Sequence, residues 1–254
     1  GTFLQHVAEL RRRLLVVAGT FLAAALVSLS VRVTPTAPYV AFAVYDPLAA
    51  QIFGRLRAHL VPSGVSLVVT RPAEAFTAQL TIALVIGFAI AIPVLLAQLA
   101  AFAGPALQPR ERKVLARAIL PAAALFAAGA AFCYSFVLPV VFETLYGFAE
   151  GLVDESFLHV GDLVGFSAVS MLLFGAAFQT PLLMYALARA GIVGPRGYAR
   201  SWRVATFAIV ALCAIATPDG SPVTLALVAG PILALYGLGI AISIPAARRA
   251  AAAA

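Results

Sequence analysis

Six long apolar runs, at roughly 14–33, 75–101, 114–142, 163–188, 202–217 and 223–244, narrow what this chain can fold into more than any other feature. About 20 apolar residues in helical form cross the roughly 30 Å hydrocarbon layer of a bilayer, and in lipid the backbone of each segment must satisfy its own hydrogen bonds. The expected fold is therefore an all-α integral membrane protein with six transmembrane helices. Composition agrees: 63% of the 254 residues are hydrophobic and 11% charged, against roughly one-quarter charged in soluble domains. The first run, eighteen residues from Leu14 to Val31, exceeds the roughly 7 to 15 residues of a signal-peptide core and reads as a retained span. The fifth is short, so it must start near Trp202 or sit where the membrane is locally thinned.

Charge orients the spans, because cytoplasmic loops carry the Lys/Arg excess. One side holds Arg11, Arg12 and Arg13, then Arg110, Arg112, Lys113 and Arg117, then Arg189, Arg196, Arg200 and Arg203, and finally Arg248 and Arg249. The other holds Arg32, Arg55, Arg57 and Arg71 with most of the acids, including Asp46, Glu74, Glu143, Asp162 and Asp219. Both termini are expected in the cytoplasm. A net charge of +7 would also suit nucleic acid, but the basic residues form short clusters between apolar runs without interleaved aromatics, so no nucleic-acid partner is expected. Cys133 and Cys213 lie inside apolar runs as small hydrophobes and imply neither a disulfide framework nor a zinc site.

Residues 1–249 read as a single membrane domain, with 34–74 as a cap on the outer face and 250–254 as a low-complexity tail left out of fold reasoning. Within the cap, Leu48, Ile52, Leu56 and Leu60 recur every four residues after Pro47, the pattern of an amphipathic helix packed down on the spans. Pro93, Pro121, Pro139, Pro181 and Pro231 interrupt the spans and are expected to bend them into a concave bundle.

Few residues offer chemistry. Glu9, in His6-Val7-Ala8-Glu9-Leu10-Arg11-Arg12-Arg13-Leu14, pairs in one reading with Arg13 at the i,i+4 spacing of a surface helix, which stabilises by about 0.3 to 0.5 kcal/mol. In the other reading that pair preorganises a carboxylate for an incoming guanidinium. Glu111, in Gln108-Pro109-Arg110-Glu111-Arg112-Lys113, is either a solvated loop acid or the second half of such a site, since Glu9 and Glu111 are the only acids on the basic side. His6 reads as an interfacial side chain. Gln179 and Thr180, before Pro181, either satisfy the carbonyl that the proline leaves without a donor or contact a partner helix. Asp219 sits in a tight turn, Thr217-Pro218-Asp219-Gly220-Ser221-Pro222. The sequence has no nucleophile elbow, no His-Glu-x-x-His and no phosphate loop, and its three histidines are scattered, so neither an enzyme nor a cofactor or metal is expected.

The motifs resemble those of the TatC family, the polytopic subunit of the twin-arginine protein translocase. The opening stretch is similar to that family's H-x-x-E-L-R-x-R-L. The resemblance continues through Pro72-Ala73-Glu74-Ala75-Phe76, Gln98-Leu99-Ala100-Ala101-Phe102-Ala103-Gly104-Pro105, Arg110-Glu111-Arg112, Phe174-Gly175, Phe178-Gln179-Thr180-Pro181 and Thr217-Pro218-Asp219. It implies a receptor for twin-arginine signal peptides of folded cargo, working with single-span TatA/TatB-type subunits in an oligomeric complex of the cell membrane, driven by the proton gradient. By position it assigns signal binding to Glu9, Glu111, Arg11, Arg13 and Phe102, a structural role to Pro47, and a polar span position, often glutamate in the family, to Gln179. The competing readings are a secondary transporter of a small solute, which would show charges at mid-membrane and repeat symmetry, and an intramembrane hydrolase, which lacks a nucleophile and base.

Overall fold

The computed structural model describes residues 2–33, 40–42, 47–62, 64–103, 109–148, 156–189, 191–217 and 221–251, with backbone alone at 2–6, 32–33, 40–42, 100, 103, 109–117, 156 and 249–251. The described chain divides into two compact units, residues 1–124 with 157–168 and residues 125–156 with 169–254.

In the first unit, α1 (Thr2–Ser30) runs unbroken from the basic opening stretch through the first apolar run. A separate surface helix does not precede the span, because no Pro or Gly lies between Thr2 and Ala18 to end the first segment. A short strand β1 (Val31–Val33) follows and pairs antiparallel with β2 (Val40–Phe42), Val31 facing Phe42. Pro47 starts α2 (Leu48–Leu60): fully buried, with φ −68° and extended ψ, it accepts the amides of Ala50 at 2.9 Å and Gln51 at 3.1 Å. As the four-residue spacing predicts, α2 buries Leu56 and Leu60, and it packs on α1 and α3.

Gly64, at φ +93°, turns the chain into β3 (Val65–Val68), and α3 (Glu74–Ala103) then carries the second apolar run. At the start of α3, Glu74 Oε2 accepts the Thr70 amide at 2.8 Å and the Thr70 hydroxyl at 3.0 Å, and Oε1 accepts the Gly161 amide at 2.8 Å. One carboxylate thereby fastens the β3–α3 turn to the first turn of α6 (Val160–Ala177), which follows β4 (Ser156–His159), the partner of β3. The opening of α4 (Pro109–Phe132) completes this unit.

In the second unit the end of α4 passes through one π-turn, Cys133–Val137, into α5 (Leu138–Gly147), and the Leu138 amide reaches back to the Cys133 carbonyl. The cause is Pro139, whose ring would collide with the carbonyl four residues earlier, on Ser135 in the middle of that turn. The same collision explains why α6 stops at Ala177, four residues before Pro181, so that Phe178 separates it from α7 (Gln179–Arg189). Pro93, Pro121 and Pro231 stay inside continuous helices and Pro139 follows a π-turn, so of these five sites only Pro181 follows a break in the helix.

Gly191, at φ +71°, closes α7 by donating to the Ala188 carbonyl, and α8 (Pro195–Arg200), α9 (Trp202–Ala216) and α10 (Pro222–Ala251) follow. Ser221 caps α10: its Oγ accepts the Thr224 amide at 3.2 Å and donates to Thr224 Oγ1 at 3.0 Å. Close packing is aromatic here. Phe132 lies 6.1 Å from Phe174 and 5.8 Å from Phe178, ring centre to ring centre. A Cβ on Gly129 would meet the Phe174 carbonyl oxygen at 2.6 Å, and one on Gly175 the Phe126 ring at 2.6 Å.

Among the described residues, five segments are long and apolar enough to cross a membrane, Val7–Ser30, Glu74–Leu99, Ala118–Gly147, Val160–Arg189 and Pro222–Arg248, while Trp202–Ala216 is a shorter apolar helix. The protein is an all-α, multi-pass membrane protein. Apolar side chains such as Leu120, Phe207 and Ile215 are at least three-quarters exposed, as lipid-facing residues should be.

Candidate functional site

The polar chemistry of the first unit gathers where α1 meets the last turns of α3. Arg13 donates through Nε to Glu9 Oε1 at 3.1 Å and through Nη2 to the same oxygen at 2.5 Å, while Nη1 donates to Gln98 Oε1 at 3.2 Å. The i,i+4 spacing accounts for the first contact. Gln98, 85 positions away in sequence, belongs here because α1 and α3 lie side by side. Arg13 is the more buried partner, its side chain 22% exposed against 41% for Glu9. Glu9, Arg12, Arg13, Val16 and Gln98 line a cavity of about 280 Å³. That lies near the lower edge of the range for small-ligand pockets, a size for one or two side chains of a larger ligand.

Deeper along the same two helices, Leu14, Val17, Ala18 and Phe21 of α1 face Phe88, Ala91, Ile92 and Leu95 of α3 across an apolar groove of about 330 Å³. Leu95 lies one turn before Gln98, and Leu14 directly follows Arg13, so the two linings follow one another along both helices. Beyond it the helices touch: a Cβ on Gly87 would stand 2.7 Å from the Phe21 carbonyl oxygen and 3.1 Å from the Ala25 Cβ. Small residues at this crossing let two helices approach closely in a membrane.

Of the residues singled out in the sequence, Glu9 and Arg13 are in contact, and Phe102, half-buried on the last turn of α3, shares a helical face with Gln98 at i+4. Arg11 is exposed and does not line the cavity. Glu111 belongs to the first turn of α4, and its side chain lies outside the described residues, as does Asp219 entirely. In the second unit, Gln179 Nε2 donates to the Gly175 carbonyl at 3.5 Å, and Thr180 is half-buried beside buried Pro181. The carbonyl left without its donor by Pro181 is that of Ala177, so this glutamine bond serves a different one. Arg12 and Gln98 join the site through the packing of α1 on α3, and the one sequence signal for Gln98 is a polar residue ending an apolar run.

These features define a class, a polytopic helical membrane protein with a polar cavity near one end of two packed helices and an apolar groove further along them. The TatC family model, described as Sec-independent protein translocase protein, matches residues 5–231. The Sec-independent protein translocase protein TatC of Cenarchaeum symbiosum (strain A) is 42% identical over 94% of this chain and 92% of its own length. The TatC protein of Deinococcus radiodurans is 36% identical over 70% of this chain and 66% of its own. A crystal structure described as the twin arginine translocase receptor TatC superposes with a TM-score of 0.80 at 29% identity, covering 95% of this chain and 99% of that one. The chain belongs to the TatC family and is a component of the Sec-independent, twin-arginine protein translocase.

Proposed function

We propose that this chain receives the twin-arginine signal peptides of folded precursor proteins at its cytoplasmic face. With single-span TatA/TatB-type subunits, in an oligomeric receptor complex, it supports their export driven by the proton gradient. It acts as a receptor and conduit component, not an enzyme, and uses no cofactor. Its six spans form one domain of the cell membrane with both termini cytoplasmic, the arrangement that the basic loops favour.

The observation that carries this reading is a polar cavity around Glu9 with an apolar groove further along the same two helices, α1 and α3. A signal with paired arginines followed by an apolar stretch has the same order of chemistry. An arriving guanidinium would bind the Glu9 carboxylate through charge-assisted hydrogen bonds, each worth roughly 1.5 to 3 kcal/mol. Arg13 need not lose all its partners when displaced from Glu9, because its Nη1 already donates to Gln98. Glu111 supplies the second acid, Arg11 and Phe102 flank the peptide, and Gln179 with Thr180 meets a partner subunit. Pro47, Pro93, Pro181 and Asp219 shape the scaffold. Surrounding arginines oppose the signal's charge, so binding is weak and falls with salt.

The test is a Glu9→Gln, Glu111→Gln variant in membrane vesicles. It should insert normally and lose crosslinking to a twin-arginine precursor; undiminished crosslinking sinks the assignment.

A further inference from the structure

The segment from Leu163 to Thr217 contains four arginines, Arg189, Arg196, Arg200 and Arg203, and not one acid. Every other basic cluster on that side of the first five spans has a glutamate within it, Glu9 or Glu111. All four arginines are exposed, and among the described residues no carboxylate forms an ion pair with any of them. The Arg189 guanidinium donates to the Tyr185 hydroxyl at 3.1 Å, and that of Arg203 lies 5.7 Å from the centre of the Trp202 ring. Beside them, Ile192 and Phe207 are at least 70% exposed and Trp202 is 53% exposed.

Topology alone asks only for positive charge in this loop. It does not ask for a mount, yet α8, carrying Arg196 and Arg200, is fastened on both sides. The Tyr198 hydroxyl donates to the Met184 carbonyl of α7 at 3.3 Å, and the Tyr236 hydroxyl of α10 donates to the Tyr198 carbonyl at 2.9 Å. The 15 residues of α9 span only about 22 Å, so its end must meet headgroups deeper than a full-length span would.

We propose that the α7–α8–α9 corner binds anionic phospholipids, the arginines holding headgroup phosphates while Trp202, Phe207 and Ile192 lie among the upper acyl carbons. This surface is independent of the signal site. Free phosphate offers the same charge but nothing for the three apolar side chains, which is why a lipid is the fitting occupant.

The test uses the purified full chain in phosphatidylcholine nanodiscs containing a minor share of phosphatidylglycerol, with bound lipid read by native mass spectrometry. Phosphatidylglycerol should be enriched, and Arg196→Gln, Arg200→Gln should weaken its binding by about fivefold for each arginine removed. Arg57→Gln, an exposed cation on α2, should change nothing. The Arg196→Lys, Arg200→Lys variant keeps charge and mount and should lose less than the glutamine pair. Equal enrichment in wild type and the glutamine variant overturns the proposal, as does an equal loss in Arg57→Gln. Displacement of the lipid by inorganic phosphate alone overturns the lipid as occupant, and enrichment indifferent to salt overturns the role of the arginines.

Discussion

At the scale of single residues, the cavity around Glu9 depends on Arg13 having two acceptors. Were Glu9 its only partner, an incoming arginine would have to leave a half-buried guanidinium unpaired, and an unsatisfied charged donor is expensive. Gln98 removes that obstacle. Replacing it with leucine should therefore weaken the binding of a twin-arginine peptide to the purified chain by about fivefold, one ordinary hydrogen bond, with melting unchanged. Equal affinity in Gln98→Leu would show that Arg13 needs no alternative acceptor. Glu74 is a second residue whose single carboxylate joins separate stretches of chain. Glu74→Ala should lower the thermal midpoint and speed exchange of the Gly161 amide, and Glu74→Gln, which keeps an acceptor oxygen, should do so less. How much of this could be read in advance differed by distance along the chain. The Glu9–Arg13 pair is legible because i,i+4 is a local rule; the links to Gln98 and from Glu74 to Gly161 depend on tertiary packing, which no periodicity records.

At the scale of elements, the α1–α3 crossing decides whether the groove exists. Gly87→Val would place methyls where even a Cβ meets backbone at 2.7 Å, and should cost about 1 to 3 kcal/mol, measured as a lowered midpoint in detergent. Gly237→Val, on α10 with open space around it, is the control and should be near neutral. Helix α2 was legible from its four apolar positions, and α9 from the short run beginning at Trp202. The prolines are visible too, yet the sequence does not tell the two that disturb the regular α-helix from those that do not. A proline inside a helix can be absorbed by local adjustment, and only near Pro139 and Pro181 does the chain use a π-turn or a full break. The cap on α10 is not legible from the composition of that turn, which offers Asp219 as readily as Ser221, whereas Ser221 makes the observed bonds.

At the scale of the whole molecule, the basic loops predict sidedness and the cavity predicts where the signal enters. The two native thiols, Cys133 and Cys213, are fully buried, so single cysteines introduced at exposed positions can report topology above a low background. Arg200→Cys should react with an impermeant maleimide from the cytoplasmic side and Arg57→Cys only from the opposite side; labelling of both from one side contradicts the orientation. The most direct measurement is site-specific photocrosslinking of a stalled twin-arginine precursor. Probes at Gln98 should capture residues beside the paired arginines, and probes at Ala91 or Phe21 should capture the apolar stretch that follows, with a twin-lysine precursor captured at neither. Capture of the precursor from the lipid-facing positions Leu120 or Ile215, with none from positions 98, 91 and 21, would contradict the account.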